Sequence, residues 1–508
     1  MKLPIAAFVG FNDGWNEIES RSHLTLPEVS EIGRDTRKNN IGDPRDATSR
    51  SYVVTHQSGR RALPSTLLTN ARILHRNKLR RVSILVVNSK IKGVYETRRP
   101  NADAEIDAKG RLVIPGLVDG HAHLYDPAFS YREDFTTGTA AAAAGGVTTV
   151  IEMVLTTPVD SANLVERKIE AGRRSSLIDF SLHAGMMNSK NLANIPDITR
   201  LGVRSFKTFT CKPYYADDHT LMSLMRETAK QDSILNVHAE DEDIANQNLQ
   251  KLMGAGRNDP MAHEEWKPNA AEEKAVNKLI QFAGSIGARI HISHMSTREG
   301  VALVRAAKRR RIRVTTETCP HYLTFTRKDM KEQGPYLKMN PCLKGPADVN
   351  ALWKGLRDGT VDIVTSEHAP GTREEKDVGW VDVWKAWGGV PSIETMLPVL
   401  LSEGVNKHEL TLQALQRVCC ENPARIFGQY PRKGVIRRGS DADLVVIDLK
   451  SRRKVRAEGL HQKVNWTPYE GWTLKGWPVL TMARGEVVYE NQDLIGKIGN
   501  AEFLPMFS

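Results

Sequence analysis

A chain of 508 residues is long for one folding unit, and size alone allows roughly two to four. Its formal net charge of +11 suits an acidic partner, yet dense basic runs are few. Lys308-Arg-Arg-Arg311 and Arg452-Arg-Lys454 are the main ones, so solvated faces are expected and no nucleic-acid groove.

Residues 1–64 mix charges with Asn, Gly and Ser, show little periodicity after Phe8-Val9, and read as a loosely ordered extension. No signal-peptide core stands there, and Glu17, Glu19, Glu28 and Glu31 disfavour a transit peptide. From Ser65 to Ile114 short strands are expected at Thr66-Leu-Leu, Val82 to Val87, Ile91 to Val94 and Arg111 to Ile114. They form the first part of a small β-domain over 65–114. The same texture returns over 431–492, at Gly434-Val-Ile, Asp443 to Asp448, Val479 to Met482 and Glu486 to Tyr489, leaving a tail of 493–508. The two ends can build one β-domain if the chain leaves and returns.

The middle, 115–430, alternates apolar strands with helices. Strands are expected at Val147 to Glu152, Ser205 to Phe209, Ile234 to Glu240, Arg289 to His294, Arg313 to Glu317 and Asp362 to Glu367. Helices are expected at Gly138 to Ala144, Glu272 to Gly284 and Arg298 to Arg309. Repeated β-then-α units point to a parallel sheet, most simply a closed (β/α)8 barrel. No apolar stretch approaches the ~18 residues of a membrane span. The five cysteines, Cys211, Cys319, Cys342, Cys419 and Cys420, lack paired spacing and read as reduced thiols of a cytoplasmic protein.

The stretch Val113-Ile-Pro-Gly-Leu-Val-Asp-Gly-His-Ala-His-Leu124 organises the rest. Side chains alternate along a strand, so His121 and His123 point to one side and can share a metal. Two ligands alone do not make a site. Further candidates stand at the ends of later strands, however: Lys207, His238, His294 and Glu367-His368. In a (β/α)8 barrel those ends converge on one face. Singly, each histidine has a plain reading as hydrogen-bonded core and Lys207 as a surface charge.

Over about 66–490 the chain resembles the amidohydrolase superfamily, in its cyclic-amide branch of dihydroorotases, allantoinases and hydantoinases/dihydropyrimidinases. The motifs that carry this are Pro115 to His123, Gly138 to Thr149, Ser205-Phe-Lys207, His238-Ala-Glu240, His291-Ile-Ser-His294, Glu317 to Leu323, Lys338-Met-Asn-Pro341, Gly439 to Leu444 and Pro468 to Gly471. The resemblance implies a (β/α)8 barrel with a small β-sandwich domain built from both chain ends. It also implies two zinc ions held by His121, His123, His238 and His294 and bridged by a carboxylated Lys207. A zinc-bridging hydroxide would open a cyclic amide, with a strand-8 carboxylate touching metal and shuttling the proton. That carboxylate is usually Asp and is Glu367 here. Its extra methylene moves the acid by roughly an ångström, and errors of that size can cost about 10²-fold. A dimer or tetramer is the family's usual assembly.

Dihydroorotases place an arginine two residues after the second histidine; Tyr125 stands there, and a phenol cannot imitate a bidentate guanidinium. Tyr131-Arg-Glu-Asp134 and Lys338-Met-Asn340 are nonetheless dihydroorotase-like, and Glu317 to Tyr322 and Trp384 to Gly389 allantoinase-like. A small uncharged cyclic ureide or imide is therefore expected as substrate, with Tyr125, Asn340 and backbone near Cys319 against the ring. The alternatives are a dihydroorotase and a catalytically weak or inactive paralogue used in assembly or regulation.

Overall fold

The structure, a computed structural model, describes residues 64–75 and 78–507. The expected extension thus lies outside the described residues except for Pro64. Nine parallel strand segments follow one another from Leu117–Ala122 to Ile363–Val364. Val147–Glu152 pairs with Leu117–Ala122 on one side and Asp179–Leu182 on the other. After His183 the chain continues as Ala184–Gly185, which opens a second parallel sheet running through Ser205–Phe209, Ile234–His238, Arg289–Ile292, Val314–Thr318 and Ile363–Val364. A parallel bridge between Ala122 and His368 links the outer edges, and His123 N–H donates to the His368 carbonyl at 2.8 Å.

The strands read Val-Thr-Thr-Val-Ile-Glu or Ile-Leu-Asn-Val-His because helices cover their outer faces and side chains fill the inner ones. Arg298–Arg309 shows the covering pattern: Val301, Val304 and Ala307 are buried, while Arg309 is exposed. Phe135–Ala144 is alanine-rich and largely buried, and starts where the Asp134 carboxylate accepts from Thr137 N–H at 2.8 Å.

Both chain ends join one nine-stranded mixed sheet, in which Leu444–Lys454 pairs antiparallel with Leu112–Pro115. One expectation changes. Gly434-Val-Ile is irregular, because Gly434 has φ +79° and approaches the Cys420 carbonyl so closely that a Cβ would lie 2.5 Å from it. Within the 493–508 tail, Asp493 to Ile495 are exposed while Leu504 and Met506 are buried, and Leu504 N–H donates to the Phe180 carbonyl at 2.7 Å. The basic runs lie at a helix end and a strand end, with Arg309, Arg310, Arg311, Arg452 and Lys454 exposed. Among the described residues no helix is long and apolar enough to cross a membrane, and all five cysteines are unpaired and buried.

Candidate metal centre at the strand ends

The parallel register sets Phe209 beside His238, Val237 beside Ile292, and Thr318 beside Val364, so the strands finish at one level. There His121, His123, Lys207, His238 and His294 meet, all buried. Ring centroids lie 5.2 Å apart for His121 and His123, 5.6 Å for His121 and His294, and 4.6 Å for His238 and His294.

What each ring does with its second nitrogen decides what it offers the middle. His123 Nδ1–H donates to the Met153 carbonyl at 2.6 Å, leaving Nε2 its lone pair. His121 Nδ1 is paired with Glu317, whose other oxygen meets His291 Nε2 at 3.2 Å. His238 Nε2 is held by Glu240 at 2.6 Å, and its Nδ1 faces His294 Nε2 at 3.0 Å. Those two nitrogens can share one proton or one cation. A carboxylate or carbonyl behind the imidazole is how metal-binding histidines are usually oriented. Burial pushes His123 and His294 well below the ordinary imidazole range, so neutral rings are favoured. For His238 burial acts the same way, but Cys211 and Glu240 outweigh it and raise the ring to about 9.

Lys207 is 2% exposed, and its Nζ donates to Ser293 Oγ at 2.5 Å. Among the described residues no carboxylate comes within ion-pair distance of it. Burial lowers its pKa to about 8, against the pull of Glu317 and Glu367. Gly185 lets the neighbouring strand approach: a Cβ there would stand 2.7 Å from Lys207 Cβ.

Glu367 is half-buried, and its Oε2 accepts from His321 Nε2 at 3.0 Å. Tyr125, His294 and Glu367 have φ of +55°, +32° and +46°. Left-handed backbone is strained for these residue types and gathers at functional sites. Tyr125 is buried, stacks on His123 at 6.0 Å, and its hydroxyl has no partner. Its nearby cation, Arg132, is committed to Glu375 by both Nε and Nη2 and lies 3.8 Å over the Trp387 ring. Asn340 Oδ1 is buried without a partner, and a Cβ on Gly388 would stand 2.9 Å from its Nδ2. Cys319 is buried, with Sγ 3.7 Å from Thr365 Oγ1.

The tightest His/Cys/acid groups among the described residues are Cys211-His238-Glu240, Cys319-His321-Glu367 and His263-Glu264-Cys342. The first two share His238 and Glu367 with the expected set. His121, His123 and His294 are in none of these groups. Reading the sequence overlooked the supports: Glu317, Glu240, Ser293 and His321. Each had a signal, because each lies inside a motif beside an expected ligand, as Ser293 does in His291-Ile-Ser-His294.

The model of the amidohydrolase family matches residues 112–488. A dihydroorotase of Methanosarcina acetivorans is 34% identical over 455 residues, covering 87% of this chain and 96% of that one. An allantoinase of Rubrobacter xylanophilus is 36% identical over 412 residues, covering 80% and 90%. The solved structure of an L-hydantoinase (dihydropyrimidinase) from Arthrobacter aurescens superposes with a TM-score of 0.83 at 33% identity, over 86% of this chain and 99% of that one. With likeness of sequence and of fold running through the strand ends that gather these imidazoles, the chain belongs to the amidohydrolase family.

Proposed function

We propose that this enzyme hydrolyses an amide C–N bond of an uncharged cyclic ureide or imide such as a hydantoin, allantoin or a dihydropyrimidine, using two zinc ions. The ligands are His121, His123, His238, His294, Glu367 and a carboxylated Lys207. The carrying observation is the orientation of the rings. Glu317 and the Met153 carbonyl each hold one imidazole by one nitrogen, which leaves the other nitrogen for a cation, and Glu240 holds His238 so that its Nδ1 meets His294 Nε2, where a cation would take the place of their shared proton. Lys207 fits the set because it is buried without a counter-ion, and the free amine that burial favours is the form that adds CO2 to give an anionic carbamate. A binuclear centre is also general in the family. Bound there, the cations would polarise the scissile carbonyl and lower the pKa of water.

The chain's own residues do the rest. Glu367 takes the proton of the attacking water and returns it to the ring nitrogen as the C–N bond breaks, giving a carboxylate and a freed N–H. The Tyr125 hydroxyl, protonated because burial raises its pKa, donates to a ring carbonyl. Asn340 Oδ1 accepts a ring N–H. An uncharged ring is favoured because Arg132, the cation over Tyr125, is already neutralised by Glu375.

The supporting fold is a closed (β/α)8 barrel over 115–430 carrying a β-sandwich from 65–114 and 431–492. The Ala122–His368 bridge supports closure, and a core joining Leu68, Ile84 and Val113 to Leu444 and Met482 supports the sandwich. A second reading, a dihydroorotase, draws on relatives of that name. The test is hydrolysis of hydantoin, allantoin, dihydrouracil and dihydroorotate by zinc-loaded protein with its metal content measured. An uncharged ring should be fastest with about two ions per chain. Dihydroorotate as best substrate would overturn the reading of Tyr125, and inactive protein without metal would leave the assembly or regulatory paralogue.

A further inference from the structure

We propose that His321 is a positioning residue that fits Glu367 to this site, holding the longer acid in one place. The inference rests on Glu367 being the proton shuttle.

His321 is fully buried in the Pro320–Thr324 helix, directly after the Val314–Thr318 strand, and its Nε2 lies 3.0 Å from Glu367 Oε2. Its other nitrogen, Nδ1, is buried with no partner. A proton on Nδ1 would be a buried donor without an acceptor, which is costly. The tautomer with its proton on Nε2 is therefore preferred, and the bond runs from His321 Nε2–H to Glu367 Oε2. Packing fixes the ring: its centroid is 4.4 Å from that of Tyr322, edge to face, and the Tyr322 hydroxyl is itself anchored on the Pro341 carbonyl at 2.7 Å.

Glutamate has one more rotatable bond than aspartate, so the same backbone position permits a wider arc of carboxylate positions. One hydrogen bond from an immobile donor removes that freedom. It occupies Oε2, while Oε1 makes no hydrogen bond to the described residues and stays available for the proton that moves. His321 never touches substrate; it acts through Glu367.

The test crosses two substitutions at each residue. In the native background His321→Leu should lower kcat by about 10²-fold with KM changed little, the cost expected of an ångström of misplacement. His321→Gln, which keeps an N–H donor, should recover most of it. In a Glu367→Asp background the same His321→Leu should cost less than about threefold, because the shorter acid falls short of the donor. Loss of zinc to a chelator should quicken in His321→Leu only where Glu367 is present. Equal losses in both backgrounds would make His321 structural, and no loss in the native background would also overturn the proposal. Glu367→Gln separates the two failures: if it keeps full kcat, the shuttle reading falls and takes this inference with it.

Discussion

Two lysines of this chain are buried to the same degree and treated in opposite ways. Lys207 is 2% exposed and Lys433 is 1% exposed. Lys433 lies between Asp179 and Asp443, each 2.6 Å away, with Asp441 at 3.1 Å. Burial alone would lower its pKa, but the three carboxylates overcome that and hold it above the ordinary lysine value. Lys207 has one serine hydroxyl, and its pKa is lowered. Taking an ammonium out of water costs several kcal/mol unless its partners are well arranged. The protein compensates that cost where the lysine joins the strands of 179–182 and 444–454, and leaves it uncompensated among the imidazoles. A lysine given anions is held as an ammonium, and one left without them is shifted toward the free amine.

The largest effect that could break this contrast comes from shape-matched neutral replacement. Lys207→Met should lower hydrolysis by on the order of 10³-fold, the several kcal/mol that metal chemistry supplies. Bound zinc should fall well below two per chain, and the urea midpoint should hold or rise. A variant that kept its metal and its rate would show that Lys207 is a core lysine after all. Lys433→Met should do the reverse. It leaves Asp443 without a cation, while Asp179 keeps Arg484 and Asp441 keeps Lys90 and Arg432, so unfolding free energy should drop by about 3–5 kcal/mol while zinc content and KM stay as they were.

A smaller effect sharpens the comparison at the histidine side. Glu317 joins His121 to His291 and is kept well below the ordinary carboxylate range by them in spite of its burial. Glu317→Gln keeps the shape but weakens the grip on the ring, and should cost about 10–100-fold in zinc affinity, read by chelator competition. Full affinity would mean that packing alone orients His121.

The two lysines also mark where sequence suffices. Lys207 was legible as a charge in the middle of a short buried strand, Ser205–Phe209, and His121, His123, His238 and His294 because each lies within two residues of a strand's end. The ligand candidates are local features, each read from a single stretch of strand. Their supports are not, since Glu317 reaches His121 across 196 positions. Asp179–Leu182 escaped notice for the same reason. A strand opening on an aspartate looks like a loop until Lys433, 254 positions later, neutralises it. Gly434-Val-Ile went the other way: its residues favour a strand, but tight packing against Cys420 overrides them. The departure at Glu367 was visible from sequence, whereas its partner His321 appeared only when 46 residues of chain had folded between them.

Glu264 is the case that could blur the rule, because it too is a buried charge-bearing group lacking compensation. It lies on the Pro260–Trp266 helix, 5% exposed, with no side-chain hydrogen bond to either carboxylate oxygen and only a weak backbone contact from Leu343. Burial raises its pKa to about 8, against the weaker pull of Lys344 and Arg327. Below its unfolded value of 4.5 both states hold the proton and Glu264 costs nothing. As pH rises from there to about 8, the unfolded chain gives up the proton while the folded one keeps it. Stability therefore falls, by up to about 1.4 kcal/mol per pH unit, and levels off above the folded pKa. Glu264→Gln removes the titration at little change of shape. Its advantage in urea midpoint over the native chain should be near zero at pH 4.5 and widen steadily to pH 8, with kcat unaltered. An advantage that did not grow with pH would mean the folded carboxyl is already ionised and has a partner. A loss of kcat would mean that an uncompensated buried group can serve the reaction from outside the strand ends, and the contrast drawn from Lys207 and Lys433 would then need a wider site.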